Sequence, residues 1–197
     1  MPMTVDLFSI DVFKELFLTD IEKEAIQKCF QFKKLKKGET FIVNGDDVNT
    51  MYYVVDGCIR NYFIDEKGKE HTIQFAVYDW WITDLIAFYS DTEAVYNLEC
   101  LSDSQVFGIH KDDINRLSLQ IPEFNKLYRA KLQASIVGYH RRIIANLSKT
   151  AAERYEEFIN RYPDIEMNIK NYHLASYLGI TTESLSRVRR ELMKKGT

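Results

Sequence analysis

The sequence predicts an α+β protein with three sections: an N-terminal antiparallel β-barrel, one long helix and a C-terminal helix-turn-helix. Short β-rich stretches between glycines fill the first section, a long apolar repeat follows Pro122, and a stretch with helix-turn-helix spacing lies near the end. Strands and helices differ in hydrophobic period, so the period separates the barrel from the two helical sections. The predicted domains are residues 1–119, 120–147 and 148–197.

The pattern of the first section indicates a series of β-hairpins. Gly38, Gly45, Gly57 and Gly68 separate stretches rich in β-branched and aromatic residues. Regular short strands between turn signals indicate an antiparallel sandwich or barrel. A short helix is expected before them, around residues 20–30, with Thr19 or Asp20 as N-cap, because a short side-chain oxygen can accept from a first-turn amide. The predicted strands are residues 41–43, 51–55, 59–64 and 72–77.

The long helix is predicted from spacing. Pro122 suits a first helical turn, where a missing amide hydrogen does no harm. Apolar residues then recur every three or four positions, which places them on one face: Phe124, Tyr128, Leu132, Ile136, Tyr139, Ile143 and Leu147. Its length, roughly 39 Å at the standard rise, exceeds what one small domain needs. We expect part of it to pack on the barrel and part on the same helix of a second subunit; packing only within its own chain is the alternative.

The third section contains the stretch LASYLGITTESLSRVRREL, residues 174–192. Before it, a helix is predicted to end at Pro163, and residues 164–171 are predicted to form a short extended link. Ala175 allows two helices to approach closely, and Gly179 tolerates the positive φ that the turn between them needs. A purely structural helical pair is the alternative. The apolar residues expected to hold the pair together are Leu174, Leu178, Ile180, Leu185 and Val188.

The second helix of this pair is predicted to begin at Thr181 or Thr182, whose hydroxyls suit capping or phosphate contact. Arginine can bond bidentately to guanine, and glutamate can accept from the cytosine amino group. An ordinary surface pair between Glu183 and Arg187 is the alternative, but at the front of such a helix base contact is preferred. The predicted DNA-binding residues are Thr181, Thr182, Glu183, Ser186, Arg187 and Arg190.

Charge and cysteine usage narrow the functional classes. The net charge is −3, yet from residue 167 onward six Lys and Arg face two Asp and Glu, whereas the first 147 residues carry 17 against 22. A basic end points to an anionic partner. Three widely spaced cysteines without a signal peptide fit a cytoplasmic protein without a disulfide framework. No apolar run is long enough to predict a membrane span, and no cofactor is predicted.

Barrel, long helix and helix-turn-helix in this order resemble the Crp/Fnr (cyclic-AMP receptor protein / fumarate-nitrate regulator) family of bacterial transcription factors. The segment ESLSR, residues 183–187, is similar to the family's E-x-x-S-R, and Gly38-Glu39, Gly45-Asp46 and Gly57 match its turns. The resemblance implies a cyclic-nucleotide-binding-like jelly-roll barrel and a homodimer formed through the long helix. It also implies recognition helices one DNA turn apart, reading TGA-type half-sites of double-stranded DNA through Glu183, Ser186 and Arg187. RNA polymerase and a small-molecule effector are the other partners that it implies.

The ligand pocket departs from the family pattern. Cyclic-nucleotide binders of the family carry Gly-Glu-Leu followed by Arg-Ser or Arg-Thr, where this chain has Thr83-Asp84-Leu85 and Ala94-Val95. A phosphodiester buried without its arginine leaves a desolvated charge unpaired. The prediction is a degenerate pocket that does not bind cyclic AMP, with an exposed turn as the alternative position for Asp84. The pocket residues predicted are Thr83, Asp84, Leu85, Ala94, Val95 and Tyr139.

The cysteines, histidines and tryptophans bear on whether the chain could be another type of sensor or have another function. The three cysteines lack iron–sulfur spacing, and His71 is interpreted as a surface or hydrogen-bonded residue. Trp80 and Trp81 are more typical of core packing than of a pocket. Only MKKGT follows Leu192, so the family's wing is expected to be lost or cut off. The alternative function is a cupin-like barrel that binds a small molecule and acts as a protein-interaction module without DNA; no enzyme activity is predicted, because four scattered histidines lack a cupin metal pattern.

Overall fold

The computed structural model describes residues 6–166 and 169–195. These residues divide into two compact units. The first unit comprises the residues up to Asn61 together with Phe75–Gln133, and the second comprises Tyr62–Gln74 together with the residues from Ala134 onward.

The helices and strands alternate mainly in the first half of the chain, and helices alone follow. A 3-10 turn at Leu7–Ser9 precedes α1 (Asp11–Lys14) and α2 (Asp20–Cys29). The strands are β1 (Phe30–Leu35), β2 (Thr40–Ile42), β3 (Thr50–Asp56), β4 (Ile59–Ile64), β5 (Glu70–Ala76), β6 (Trp80–Ile82), β7 (Asn97–Cys100) and β8 (Ser104–His110). The later helices are α3 (Leu85–Ser90), α4 (Lys111–Gln120), α5 (Pro122–Ser148), α6 (Ala151–Arg161), α7 (Pro163–Glu166), α8 (Asn171–Leu178) and α9 (Thr182–Lys195).

The strands form two four-stranded sheets, in the orders β1-β8-β3-β6 and β2-β7-β4-β5. In the first sheet β8 lies between β1 and β3 and pairs antiparallel with both, so that Phe107 lies opposite Phe32 on one side and Tyr53 on the other. The predicted antiparallel sandwich is therefore confirmed. The four predicted strands correspond to β2, β3, β4 and β5 within two residues at each end, whereas β1, β6, β7 and β8 were not predicted.

Gly57 shows why one of the turns needs glycine. It lies between β3 and β4 at φ +95, in the left-handed region, and a Cβ added there would lie 2.3 Å from Ser104 Oγ. An L-residue is strained at such a φ, and the neighbouring strand leaves no room for a side chain. Both the backbone conformation and the lack of space for a side chain therefore require glycine at this turn.

The core of the first unit is rich in aromatic rings that meet edge to face. Tyr53 contacts Phe13 at a centroid distance of 5.7 Å and Trp81 at 5.5 Å, and Phe13 contacts Phe30 at 5.4 Å. Such pairs contribute about 0.5–1.5 kcal/mol each beyond the area they bury. The core-packing interpretation of Trp81 is therefore confirmed.

The first half of α5 is anchored to the barrel within this unit. The Phe124 side chain is fully buried and Tyr128 nearly so. Lys131 Nζ donates to both carboxylate oxygens of Asp79 at 2.7 Å, and the Tyr53 hydroxyl donates to the same carboxylate at 2.9 Å. The helix thus begins as predicted at Pro122, with an apolar face and one ion pair holding it.

The second unit contains the β4–β5 turn and the C-terminal helices. Gly68 adopts the positive φ that the predicted turn requires, and its amide donates to the carbonyl of Asp65. In α6, Thr150 and Glu153 form a capping box, which satisfies two orphan amides at once. Helices α6, α8 and α9 pack together through buried Tyr155, Phe158 and Leu185.

The prediction for the segment between α6 and α8 was wrong. Helix α6 already ends at Arg161, and Pro163 begins the helical turn α7 instead of ending a helix. Proline fits the first position of a helix because its fixed φ and missing donor suit that position. Residues 164–166 are therefore helical and not extended, and Asn171 begins α8. Met167 and Asn168, also in the predicted link, lie outside the described residues.

Candidate nucleic-acid interface and ligand pocket

The turn between α8 and α9 has the predicted geometry. Gly179 follows α8 at φ +68, in the left-handed conformation common after a helix. Its amide donates to the carbonyl of Ser176, and the amide of Ile180 donates to that of Ala175 at 3.0 Å. Ala175 itself is buried. The glycine and the alanine thus produce a tight helix-turn-helix, as expected.

Side-chain packing holds α9 against α6 and α8. Leu174, Leu178, Leu185 and Val188 are buried, while Ile180 is half-buried. A polar contact adds to them: Arg189 donates to Asn171 Oδ1 at 2.7 Å and to the Tyr155 hydroxyl at 3.1 Å. Of the arginines on α9, Arg189 therefore positions the helix.

The opposite face of α9 is open to solvent. Glu183, Ser186, Arg187 and Arg190 are exposed, and Thr182 is half-buried. Thr181, just before the helix, accepts the amide of Ser184 at 3.2 Å and so acts as its N-cap. The predicted residues thus share one exposed surface at the front of the helix and its N-terminus.

The charged groups on this face stay separate. Within residues 169–195, Glu183 and Arg187 form no ion pair, and neither Arg187 nor Arg190 bonds to a described carboxylate. The pKa of the Glu183 carboxyl lies below its usual range, first because its own backbone amide bonds to it and then through the Thr181 and Thr182 hydroxyls. An ionised acceptor and two uncompensated guanidinium groups therefore face solvent.

Asp84 was predicted either to line a pocket or to lie exposed on a turn, and the exposed position is wrong. Its side chain is fully buried. One carboxylate oxygen accepts from the amides of Ile86 and Ala87 at 3.0 and 3.1 Å, and the other accepts from those of Val95 and Tyr96 at 2.7 and 2.8 Å. Four amides replace the water that a buried carboxylate loses. Asp84 thus caps α3 and ties it to residues 95–96.

The other pocket residues have varied surroundings. Thr83 is buried and donates its hydroxyl to the Thr50 carbonyl at 2.9 Å. Ala94 is buried, Leu85 is half-buried and Val95 is exposed. In the second unit, the Tyr139 hydroxyl donates to Gln74 Oε1 at 2.7 Å. The structure thus brings Asp84 and Val95 together directly, through a backbone hydrogen bond.

Known proteins resemble this chain in both sequence and fold. Residues 32–120 match the family described as cyclic nucleotide-binding domain. The chain is 26% identical over 189 residues to the fumarate and nitrate reduction regulatory protein of Yersinia pestis, covering 87% of this chain and 72% of that protein. FixK2 of Bradyrhizobium japonicum has a similar fold, with a TM-score of 0.73, 18% identity and coverage of 85% of this chain and 86% of that one. The domain match, these regulator relatives and the similar folds support a transcriptional regulator of the Crp/Fnr family.

Solved structures with a similar fold confirm the predicted fold. A Crp/Fnr-family transcriptional regulator of Thermus thermophilus also has this fold, with a TM-score of 0.69, 17% identity and coverage of 84% of this chain and 87% of that one. The antiparallel sheets, the long helix α5 and the helix-turn-helix of this chain are the parts that the resemblance implied. None of the described helices combines the length and the apolar composition of a membrane span.

Two arginines, Arg60 (buried) and Arg142 (half-buried), were missed by sequence reasoning. In β4, the Arg60 side chain is 2% exposed, and its Nε and Nη2 donate to Glu99 Oε2 at 3.0 and 2.7 Å. In α5, Arg142 donates to backbone carbonyls of β5 and α8. An arginine inside the apolar stretch of β4 was an available signal, but Arg142 lies in a run of polar residues and gave none.

His71 is hydrogen-bonded, and the three cysteines are buried. His71 Nε2 lies 2.8 Å from Asp65 Oδ2, and its ring stacks on Phe63, so the hydrogen-bonded interpretation is confirmed. Cys29, Cys58 and Cys100 are buried. Burial raises the pKa of the Cys58 thiol to about 12 and that of Cys100 to about 11. Both thiols are therefore protonated at neutral pH.

Proposed function

We propose that this chain is a transcription regulator of the Crp/Fnr type that binds double-stranded DNA sequence-specifically as a homodimer, with α9 as the recognition helix. The observation that carries the proposal is the exposed face of α9, where Glu183, Ser186, Arg187 and Arg190 lie together without carboxylate partners among the described residues. Such a face can enter a major groove because a helix fits that groove. The exposed face of α9 supports DNA reading even though the net charge of the protein is −3.

The proposed roles follow from side-chain chemistry. Arg187 donates bidentately to a guanine, and Glu183 accepts from a cytosine amino group, both in the major groove. Ser186 completes the base-contacting set. Thr181, Thr182 and Arg190 contact phosphates, which position the helix without specifying sequence. The proposed domains are the sensor barrel 1–119, the dimerisation helix 120–147 and the DNA-binding domain 148–197.

Dimerisation is proposed through an apolar stripe on the second half of α5, defined here as Ile136, Ile143 and Leu147. These side chains are 56%, 56% and 84% exposed, whereas Phe124 and Tyr128 at the beginning of the same helix are buried. Large apolar side chains in line on one helix face are costly to leave in water. A second α5 with the same stripe is the partner that matches it, and pairing would hold two recognition helices about one DNA turn apart.

Replacing Arg187 with alanine is expected to remove discrimination at one base-pair position while leaving weaker, nonspecific DNA binding. The expected loss is about 1–3 kcal/mol between the correct and the substituted base. The measurement is a gel-shift titration with duplexes that carry a TGA-containing palindrome or single substitutions of it, repeated across salt concentrations.

Arg190→Ala is the matched control, because it removes the same charge from the same helix. Without the phosphate interaction of Arg190, binding to all duplexes should weaken alike and the salt slope should fall by about one. Unchanged discrimination in Arg187→Ala would remove Arg187 from the base readers. Absence of wild-type binding at low salt would contradict the proposed function itself.

The proposed pocket is degenerate toward cyclic nucleotides. Asp84 already holds the amides at the start of α3 and at residues 95–96. An incoming phosphodiester would meet that negative charge and would find Ala94-Val95 in place of an arginine. The effector proposed is a small molecule of other chemistry, and RNA polymerase is the further partner proposed for a regulator of this family.

Calorimetric titration with cyclic AMP is expected to detect no binding at millimolar concentration or tighter, because no arginine of the cassette pairs the phosphate. The control titration uses a duplex that binds the same preparation, which shows that the protein is active. Micromolar binding of cyclic AMP would contradict the degenerate pocket and would leave the DNA-binding proposal intact.

A further inference from the structure

A cleft in the second unit lies between the C-terminal half of α5, α6 and the end of α8. Its volume is about 570 Å³, within the range of about 300–1,000 Å³ that small-molecule sites occupy. Cations outnumber anions among the described residues that line it. Five carry a positive charge and one a negative charge: Arg141, Arg142, Lys149, Arg154 and Arg161 against Glu157. We refer to it as the basic cleft.

Two of these arginines are held in place by neutral groups. Arg142 Nη2 donates to the carbonyls of Thr72 at 3.0 Å and Tyr177 at 2.8 Å. Arg154 donates to the carbonyls of Leu178 at 3.2 Å and Lys149 at 2.6 Å. Carbonyl oxygens satisfy donors but do not neutralise charge. Within residues 6–166 and 169–195, neither guanidinium pairs with a carboxylate, so both keep their charge in fixed positions.

Arg142 still has an unused donor. Its Nε is buried and bonds to no acceptor among the described residues. A buried donor without an acceptor is costly and needs an explanation. An acceptor oxygen supplied by a ligand would satisfy it.

The rest of the cleft can hold the other part of a ligand. Phe158, Tyr162 and Tyr177 give it an aromatic lining, and the Arg142 guanidinium lies 4.2 Å from the centre of the Tyr177 ring. Arg141 is exposed and has no partner in the part of the chain that the structure describes. A mostly apolar lining with a few convergent charges is typical of small-ligand sites.

We propose that the basic cleft binds phosphate groups, either of a nucleotide-sized ligand or of a DNA backbone. Guanidinium groups match phosphate oxygens bidentately, and several fixed ones favour a polyanion over a single carboxylate. The cleft shares no residue with the exposed face of α9 or with the segment around Asp84. Binding of a free phosphorylated ligand there does not depend on base reading by α9.

The test is calorimetric titration of the full chain with pyrophosphate and with ATP, each compared with sodium chloride at equal ionic strength. Saturable binding is expected. Arg141→Gln should weaken it about tenfold, as removal of one charge-assisted hydrogen bond does. Glu157→Gln should strengthen it about threefold, because it removes the only described carboxylate of the lining and frees Lys149 from its ion pair.

Opposite effects of the two variants separate anion binding from damage to the fold. Lys126→Gln is the matched control: it removes one exposed positive charge from α5, roughly 22 Å along the helix from Arg141. It should leave the affinity for both probes unchanged. Equal affinities in wild type, Arg141→Gln and Glu157→Gln would overturn binding of a free phosphorylated ligand.

A DNA titration distinguishes the two sources of phosphate. If neither probe binds, a DNA-backbone site requires Arg141→Gln to lower the salt slope of duplex binding by about one without altering base discrimination. An unchanged slope together with no probe binding would overturn the proposal. If the wild type binds no DNA at all, the proposed function fails, while the pyrophosphate and ATP titrations still decide whether the cleft binds phosphate.

Discussion

Replacing Asp84 with alanine is expected to lower the free energy of unfolding by about 3–5 kcal/mol. The variant leaves four backbone amides, those of Ile86, Ala87, Val95 and Tyr96, without their acceptor in a buried place. It also releases residues 95–96 from the beginning of α3. Urea denaturation followed by circular dichroism measures the change, with the slope of the transition checked for equality between variants.

Two further variants sharpen this prediction. Asp84→Asn keeps the shape and one acceptor oxygen but turns an amide group toward two donors, so we expect roughly half of the alanine effect. Asp103→Ala is the matched control, since its exposed carboxylate also accepts a backbone amide, that of Lys37. It should change the stability far less. If both Asp84 variants unfold like the wild type, the four hydrogen bonds do not stabilise the barrel.

The elements predicted from sequence are those with a local signal. Helix α2 begins after Thr19, which forms a capping box with Glu22. Helix α5 begins at Pro122 and continues through an unbroken apolar period, and the turn at Gly179 needs a backbone conformation that few residues adopt. Each of these signals lies within a few residues of the structure it produces, so one sequence suffices to read it.

The missed strands depend on distant partners instead. β1 pairs with β8, and Phe30 lies opposite Ile109. The stretch FQFKKL of β1 carries an alternation too short to separate from a helix end, because α2 leads directly into it. Sheet register is set by side-chain packing across strands that are far apart in the chain. Local pattern alone therefore left this half of the first sheet unassigned.

The candidate site also has one part that local sequence signals predict and another that depends on residues far apart in the chain. The exposed positions of α9 followed from helical periodicity, but the surroundings of Asp84 did not. The amides of Ile86 and Ala87 are local to Asp84, but whether its second carboxylate oxygen meets water or two amides depends on the position of residues 95–96, which no local pattern specifies. Arg60 and Glu99 likewise meet only because β4 and β7 are neighbours in one sheet.

Replacing Ile143 with glutamate is expected to convert the proposed dimer to monomers and to weaken binding to a palindromic duplex by at least ~100-fold, because linked half-site binding is lost. A carboxylate in the middle of the apolar stripe would have to be buried unpaired against its copy in the second α5. Ile143 is already more than half exposed in the single chain, so the monomer itself loses little packing. Sedimentation velocity measures the oligomeric state, and gel shift measures the affinity.

Ala134→Glu is the matched control, because it places the same charge at an exposed position on the opposite side of α5. It should stay dimeric and bind the palindrome like the wild type. Ile143→Leu, which keeps the stripe apolar, should do the same. A dimeric Ile143→Glu with wild-type affinity would place the interface elsewhere, whereas a monomeric variant that still binds the palindrome tightly would separate dimerisation from DNA recognition. Only loss of both properties together fits two recognition helices held at a fixed distance by paired α5 helices.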